Sequence, residues 1–136
     1  MSDRYFIDNN SLIYLYSESE EQKRKIICNV IDLQICITST QALNEASNVW
    51  VKKFKWEIIK VKKHLDNIEQ VCDEVALIRR NTIDIALNLN ARYKYSYYDC
   101  LMLASSLENG CSIILTEDMR DGQLIDGRLN IVNPFI

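Results

Sequence analysis

The stretch Ile113-Ile114-Leu115-Thr116-Glu117-Asp118-Met119 constrains the chain most, because a short apolar run ends abruptly in two carboxylates. Aliphatic and β-branched residues in an unbroken run fit a strand covered on both faces, as in a parallel sheet flanked by helices. In open α/β sheets the ligand site lies outside the carboxyl ends of such strands, where Glu117 and Asp118 emerge. The chain opens with the same grammar: Arg4-Tyr5-Phe6-Ile7 runs straight into Asp8-Asn9-Asn10.

Between these runs, strands alternate with helical patterns. A helical turn begins near Ser11, with Asn10 or Ser11 as its cap, and a helix spans roughly 18–33 with Ile26, Ile27, Val30, Ile31 and Leu33 apolar. Ile35-Cys36-Ile37-Thr38 is strand-like and ends at Ser39-Thr40, which can cap a helix over 41–55. Further helices are predicted over 57–70 (Ile58, Val61, Leu65 and Ile68 on one face), from Asn81 or Thr82 to about Lys94, and over 99–108 before Asn109-Gly110. A short strand fits 73–75 and a last one 129–132. This alternation indicates a three-layer α/β/α sandwich on a mainly parallel sheet, and 136 residues suffice for one domain over 1–136.

A net charge of −3 argues against binding nucleic acid by bulk electrostatics, though not against a nucleic-acid substrate held through metal ions. The five cysteines lack CxxC spacing and read as reduced, buried thiols; with no signal-peptide pattern at the start and no apolar run of about 18–20 residues, a cytoplasmic protein without membrane association is expected.

Topology then gathers acids. Asp8 follows the first strand, Glu45 lies early in the third helix, Asp99 starts a helix running antiparallel to the strand it feeds, and Asp118 follows the central strand. All four reach one sheet edge. Carboxylates a few ångströms apart repel by roughly 1 kcal/mol per pair in water-like surroundings and more in a dry cleft, so the cluster calls for a cation. All-oxygen ligands suit Mg²⁺ or Mn²⁺, and such ions activate water against a phosphodiester. Asp8, Asp99 and Asp118 are the candidate metal ligands, with Glu45 a ligand or an orienter of metal-bound water; Thr116, Asn9 and Ser11 are candidate supports, and Asp121 an auxiliary acid.

Each has an ordinary competitor. Asp8 could cap the turn at Ser11, Glu45 could be a solvated helix residue, Asp99 a helix-dipole partner and Asp121 a turn residue. Strand alternation sends Glu117 elsewhere. His64, the only histidine, sits among lysines on an expected solvent face as a bystander. Lys52, Lys53, Lys55, Lys60, Lys62 and Lys63, interleaved with Trp50 and Trp56, offer an RNA grip, a partner interface or, more simply, a solvated face over core tryptophans. A serine-hydrolase elbow, a P-loop and GxGxxG are absent, and Asp8-Asn9-Asn10 lacks the second acid of an aspartyl-phosphate phosphotransferase signature.

The segments Phe6-Ile7-Asp8-Asn9-Asn10-Ser11-Leu12-Ile13-Tyr14, Leu43-Asn44-Glu45, Tyr98-Asp99-Cys100 through Asn109-Gly110, and Leu115-Thr116-Glu117-Asp118-Met119 together resemble the successive acidic motifs of a PIN domain. The chain is similar to VapC-type toxins of toxin–antitoxin pairs, including its closing Gly122-Gln123-Leu124-Ile125 and Ile131-Val132-Asn133-Pro134-Phe135 segments. The resemblance implies a Mg²⁺- or Mn²⁺-dependent endoribonuclease, a cognate antitoxin covering the acidic cleft, and a homodimer. It places the family's acids on Asp8, Glu45, Asp99 and Asp118 and the small hydroxyl on Thr116; Asn9 departs from the threonine or serine of many members. A non-catalytic PIN-like module binding RNA or protein is the alternative.

Overall fold

The computed structural model describes residues 3–136; Met1 and Ser2, where the segment read for a signal-peptide pattern begins, lie outside the described residues. Six strands, β1 (Arg4–Ile7), β2 (Ile35–Ser39), β3 (Glu74–Ala76), β4 (Ile113–Leu115), β5 (Leu124–Ile125) and β6 (Leu129–Val132), form one sheet in the order β3-β2-β1-β4-β6-β5. The pairings are parallel except that of β5 with β6. Adjacent strand residues are buried together, Phe6 with Ile7, Cys36 with Ile37 and Ile114 with Leu115, so both faces of the sheet are covered.

The covers are helices. On one side α1 (Asn9–Leu15) packs on α2 (Glu21–Leu33) and α3 (Thr40–Lys52), and α3 meets α4 (Ile58–Val71). The other group is α5 (Arg80–Tyr93) against α6 (Tyr97–Glu108). Cys100 through Leu107 are buried without a break, which marks α6 as the central helix, with Ser105 and Ser106 the polar members of that run. This is the expected α/β/α sandwich. No helix among the described residues is long and apolar enough to cross a membrane.

Several local expectations shift. The first helix is capped not by Asn10 or Ser11 but by Asp8, the other reading its position allowed: extended backbone leaves its side chain over the first turn, where its carboxylate accepts the Ser11 N–H at 2.9 Å. The helix expected from Glu18 starts at Glu21. The helix expected from Asp99 starts at Tyr97, because the Ser96 hydroxyl accepts the Asp99 N–H. β5 was not anticipated: two residues carry no periodicity, and antiparallel pairing to β6 alone defines it. Ile58, expected on the core face, is exposed, because the first turn of α4 precedes the part that packs, where Val61 and Ile68 are buried.

His64 also departs from its expected solvent face. Its ring packs edge-on to Tyr16 at 4.6 Å and against Trp56 at 4.7 Å, filling the gap beside a fully buried Trp50. Trp50 and Trp56 stack at 5.1 Å, so the tryptophans belong to packing; Lys60 lies over the Trp56 ring at 4.1 Å, while Lys52, Lys53, Lys55, Lys62 and Lys63 are exposed. All five cysteines are free, four of them buried. Burial pushes the thiols of Cys36, Cys72 and Cys111 up to about 12.

The start of α3 is set by Ser39, a buried cap whose hydroxyl accepts the Ala42 N–H at 3.2 Å. Ser39→Ala is expected to cost about 1 kcal/mol of stability, read from the midpoint of urea unfolding at unchanged slope.

Candidate functional site at the carboxyl edge of the sheet

Register places the acids. Ile7 pairs with Leu115, so the residues that follow each strand, Asp8 and Thr116, leave the sheet side by side. β2 lies on the other flank of β1 and feeds α3 through Ser39, which brings Glu45 to the same edge two turns later. Asp99 occupies the first turn of α6, half-buried, where the helix begins over that edge.

Asp8 is the innermost acid, 3 % exposed. Burial pushes its carboxyl up to about 6 against the opposing Ser11 N–H and the nearby hydroxyls of Thr116 and Ser11, and the Asp118 charge adds to the rise. Asp118 is exposed, and Asn10 Nδ2 donates to its Oδ2 at 2.8 Å. Partial desolvation and then the charges of Asp99 and Glu117 raise its pKa. The Asp118 N–H donates to Thr116 Oγ1 at 3.2 Å, so Thr116 shapes the turn that presents the acid. Glu45 is raised by burial and by Asp99 and Asp118, while Gln41 Nε2, donating to its Oε2 at 3.2 Å, opposes the rise. Asp118 is the member these influences share: its charge acts on Asp8 and on Glu45, and Asp99 acts on it. Among the described residues, however, no three carboxylates, imidazoles or thiols are drawn together at the spacing of a formed ion site.

The donor set nevertheless suits a hard divalent cation. Every candidate side-chain ligand on the edge is an oxygen, burial and then neighbouring charge raise Asp8, Glu45 and Asp118, and two buried oxygens of the same region, Ser11 Oγ and Gln41 Oε1, have no hydrogen-bond partner among the described residues.

The profile of the PIN domain matches residues 5–122, a span that contains all four acids. The chain belongs to the PIN domain family. Solved structures sharing the PIN fold with it include a toxin–antitoxin complex from Klebsiella pneumoniae (TM-score 0.71, 19% identity, 96% of this chain and 98% of that chain). VapC20 of Mycobacterium tuberculosis, a sarcin-ricin loop cleaving toxin, superposes with a TM-score of 0.65 at 14% identity over 84% of this chain and 91% of that one. DNA-bound VapBC from Salmonella typhimurium gives 0.66 at 15% identity over 95% and 96%. Among curated protein sequences none matches significantly.

In this PIN domain Asp8, Glu45, Asp99 and Asp118 all lie on the carboxyl edge of the sheet, and Thr116 and Ser11 lie beside Asp8. Asn9 lines a groove with Asn44, Glu45, Asn48, Val49 and Tyr98. Asp121 is exposed and accepts the Asn133 N–H at 2.8 Å, the turn contact that was its ordinary reading. Glu117 turns to the other side, where the Tyr14 hydroxyl donates to it and Lys23 Nζ lies 3.2 Å away. Sequence reasoning missed two carboxamides, Asn10 on Asp118 and Gln41 on Glu45. Gln41 was findable, since a carboxamide four residues before a carboxylate is an ordinary helical pair; Asn10 was not, because its partner is over a hundred positions away in sequence.

Two outcomes are expected. Asp8 has a folded pKa above its unfolded value, so in metal-free protein its effect is a loss of stability as pH rises from about 4 to about 6, constant above that. Asp8→Asn, which keeps a capping oxygen, is expected to raise stability at pH 8 in EDTA by about 1–3 kcal/mol, with the difference vanishing below pH 4 in calorimetric scans. In the second, Glu117→Gln leaves the affinity for Mn²⁺, measured by titration calorimetry, within a factor of about two, while Asp118→Asn lowers it at least tenfold.

Proposed function

We propose that this PIN domain is a Mg²⁺- or Mn²⁺-dependent endoribonuclease, the toxin of a toxin–antitoxin pair acting in the cytoplasm, where its free thiols stay reduced. The observation that carries this reading is the placement of four acids from four separate parts of the chain at the carboxyl edge of a PIN fold. The fold-level likeness to toxins of toxin–antitoxin complexes supports the biological role, with a cognate antitoxin covering the acidic cleft and a homodimer as the working assembly.

In this reading Asp8, Asp99 and Asp118 hold the cation. When bound, the cation polarises the phosphodiester and makes water a better nucleophile at neutral pH. The chain supplies the rest. Burial of Asp8 keeps solvent from the inner side of the edge. The Asn10 amide and the Thr116 hydroxyl fix Asp118. Gln41 engages one oxygen of Glu45 and leaves the other to orient the attacking water and accept its proton, a task favoured by the raised pKa of this carboxyl. Hydrolysis then joins the water oxygen to phosphorus as the ribose oxygen departs.

Purified protein is expected to cleave single-stranded RNA with Mn²⁺ or Mg²⁺ and to stop in EDTA. Asp8→Asn and Asp99→Asn abolish cleavage while circular dichroism is retained, and either change relieves growth arrest on expression. Cleavage at the parental rate by one of these variants removes that acid from the site. RNA or protein binding without cutting under any divalent ion favours the non-catalytic module.

A further inference from the structure

Alongside Glu45 runs a groove of about 450 Å³, lined by Asn9, Asn44, Glu45, Asn48, Val49 and Tyr98. Its size is that of a small-molecule site, for which roughly 300–1,000 Å³ is typical. Its lining differs from the acidic edge: three carboxamides, one aliphatic side chain and one large aromatic accompany a single carboxylate. Asn44 and Asn48 are exposed and four residues apart on α3, hence on one helix face.

Tyr98 is 63% exposed. It is also held in place. Tyr97, the neighbour in α6, packs against the core and meets the Tyr98 ring edge-on at 5.5 Å. Gln41 Nε2 donates to the Tyr98 carbonyl at 3.0 Å, tying the start of α6 to α3. A braced, solvent-facing aromatic beside paired donors and acceptors is what an unpaired base requires: a flat surface for its face and carboxamides for its edge. One further turn along α3, four residues after Asn48, Lys52 is exposed and suits the next phosphate of a polyanion.

We infer that this groove receives one unpaired nucleobase next to the cleaved bond, stacked on Tyr98 and read along its edge by Asn44 and Asn48. The inference rests on the RNA-cleaving reading above and adds to it the source of sequence preference. Because the groove adjoins Glu45, a base seated there leaves its own phosphate at the acids. Tyr98 and the two asparagines then determine which bond is cut, and the carboxylates determine that it is cut.

The test uses the full chain and oligoribonucleotides randomised on both sides of the scissile bond. Tyr98→Leu and the pair Asn44→Ala with Asn48→Ala are compared with the parent for base preference, KM and kcat. Binding of a fluorescent oligoribonucleotide is followed separately by anisotropy in EDTA. Tyr98→Leu is expected to weaken binding and raise KM about tenfold or more at little change in kcat, with Tyr98→Phe restoring both. The asparagine pair is expected to flatten the preference at one flanking position only. All of these positions are exposed, and an unchanged melting temperature confirms that folding is intact. If the parent cleaves RNA but the variants keep its KM and its base preference, the groove inference is overturned while the nuclease reading stands. It is likewise overturned if the variants lose only the binding of a protein partner. A parent that neither binds nor cleaves RNA removes the nuclease reading itself.

Discussion

The parallel pairing of β1 with β4, Ile7 opposite Leu115, is the constraint on which the site depends. It sets Asp8 beside Thr116 and then allows the chain two more residues to bring Asp118 round from the other strand. The cost of this arrangement is a carboxylate with almost no contact with water. Helix capping offsets part of it, since the same Asp8 oxygens satisfy a backbone donor at the start of α1. Structural and chemical roles are therefore not alternatives at this position. The cap fixes where the acid sits, and burial decides how strongly it seeks a positive partner.

The sandwich and most of the site were legible in the sequence because they rest on local signals: unbroken apolar runs for β1 and β4, a 3.6-residue stripe for α3, and acids at strand ends or early in helices. What escaped has a common physical origin in contacts across the fold. β5 exists only through pairing with β6. The ring of His64 found an aromatic niche that its lysine-rich surroundings concealed. Asn10 acquires its role from Asp118, and Asn9, one residue earlier, lines the groove beside Glu45. Neighbouring residues at a helix start diverge by roughly 100° about the axis, which separates a support for the acids from a groove-lining amide.

Glu117 and Asp118 illustrate the same divergence on the other side of the cleft. Tyr14 and Lys23 capture Glu117, and Phe135 packs edge-on against Tyr14 at 5.2 Å, so the end of the chain braces that side of the loop. With Glu117 held outward, the backbone turns Asp118 toward Asn10. The acidic pair at the end of the central strand is thus divided into one residue that anchors the loop and one that faces the cleft.

The borders of the sheet carry a consequence for association. One border is β3, three residues long, and the other is β5, a two-residue strand that reverses direction. Neither presents a run of free amides and carbonyls long enough to template another strand, a common device against amyloid-like stacking and strand exchange. Borders this short disfavour strand addition as a mode of association and leave the specificity of an encounter chiefly to the chemistry of the helices and loops.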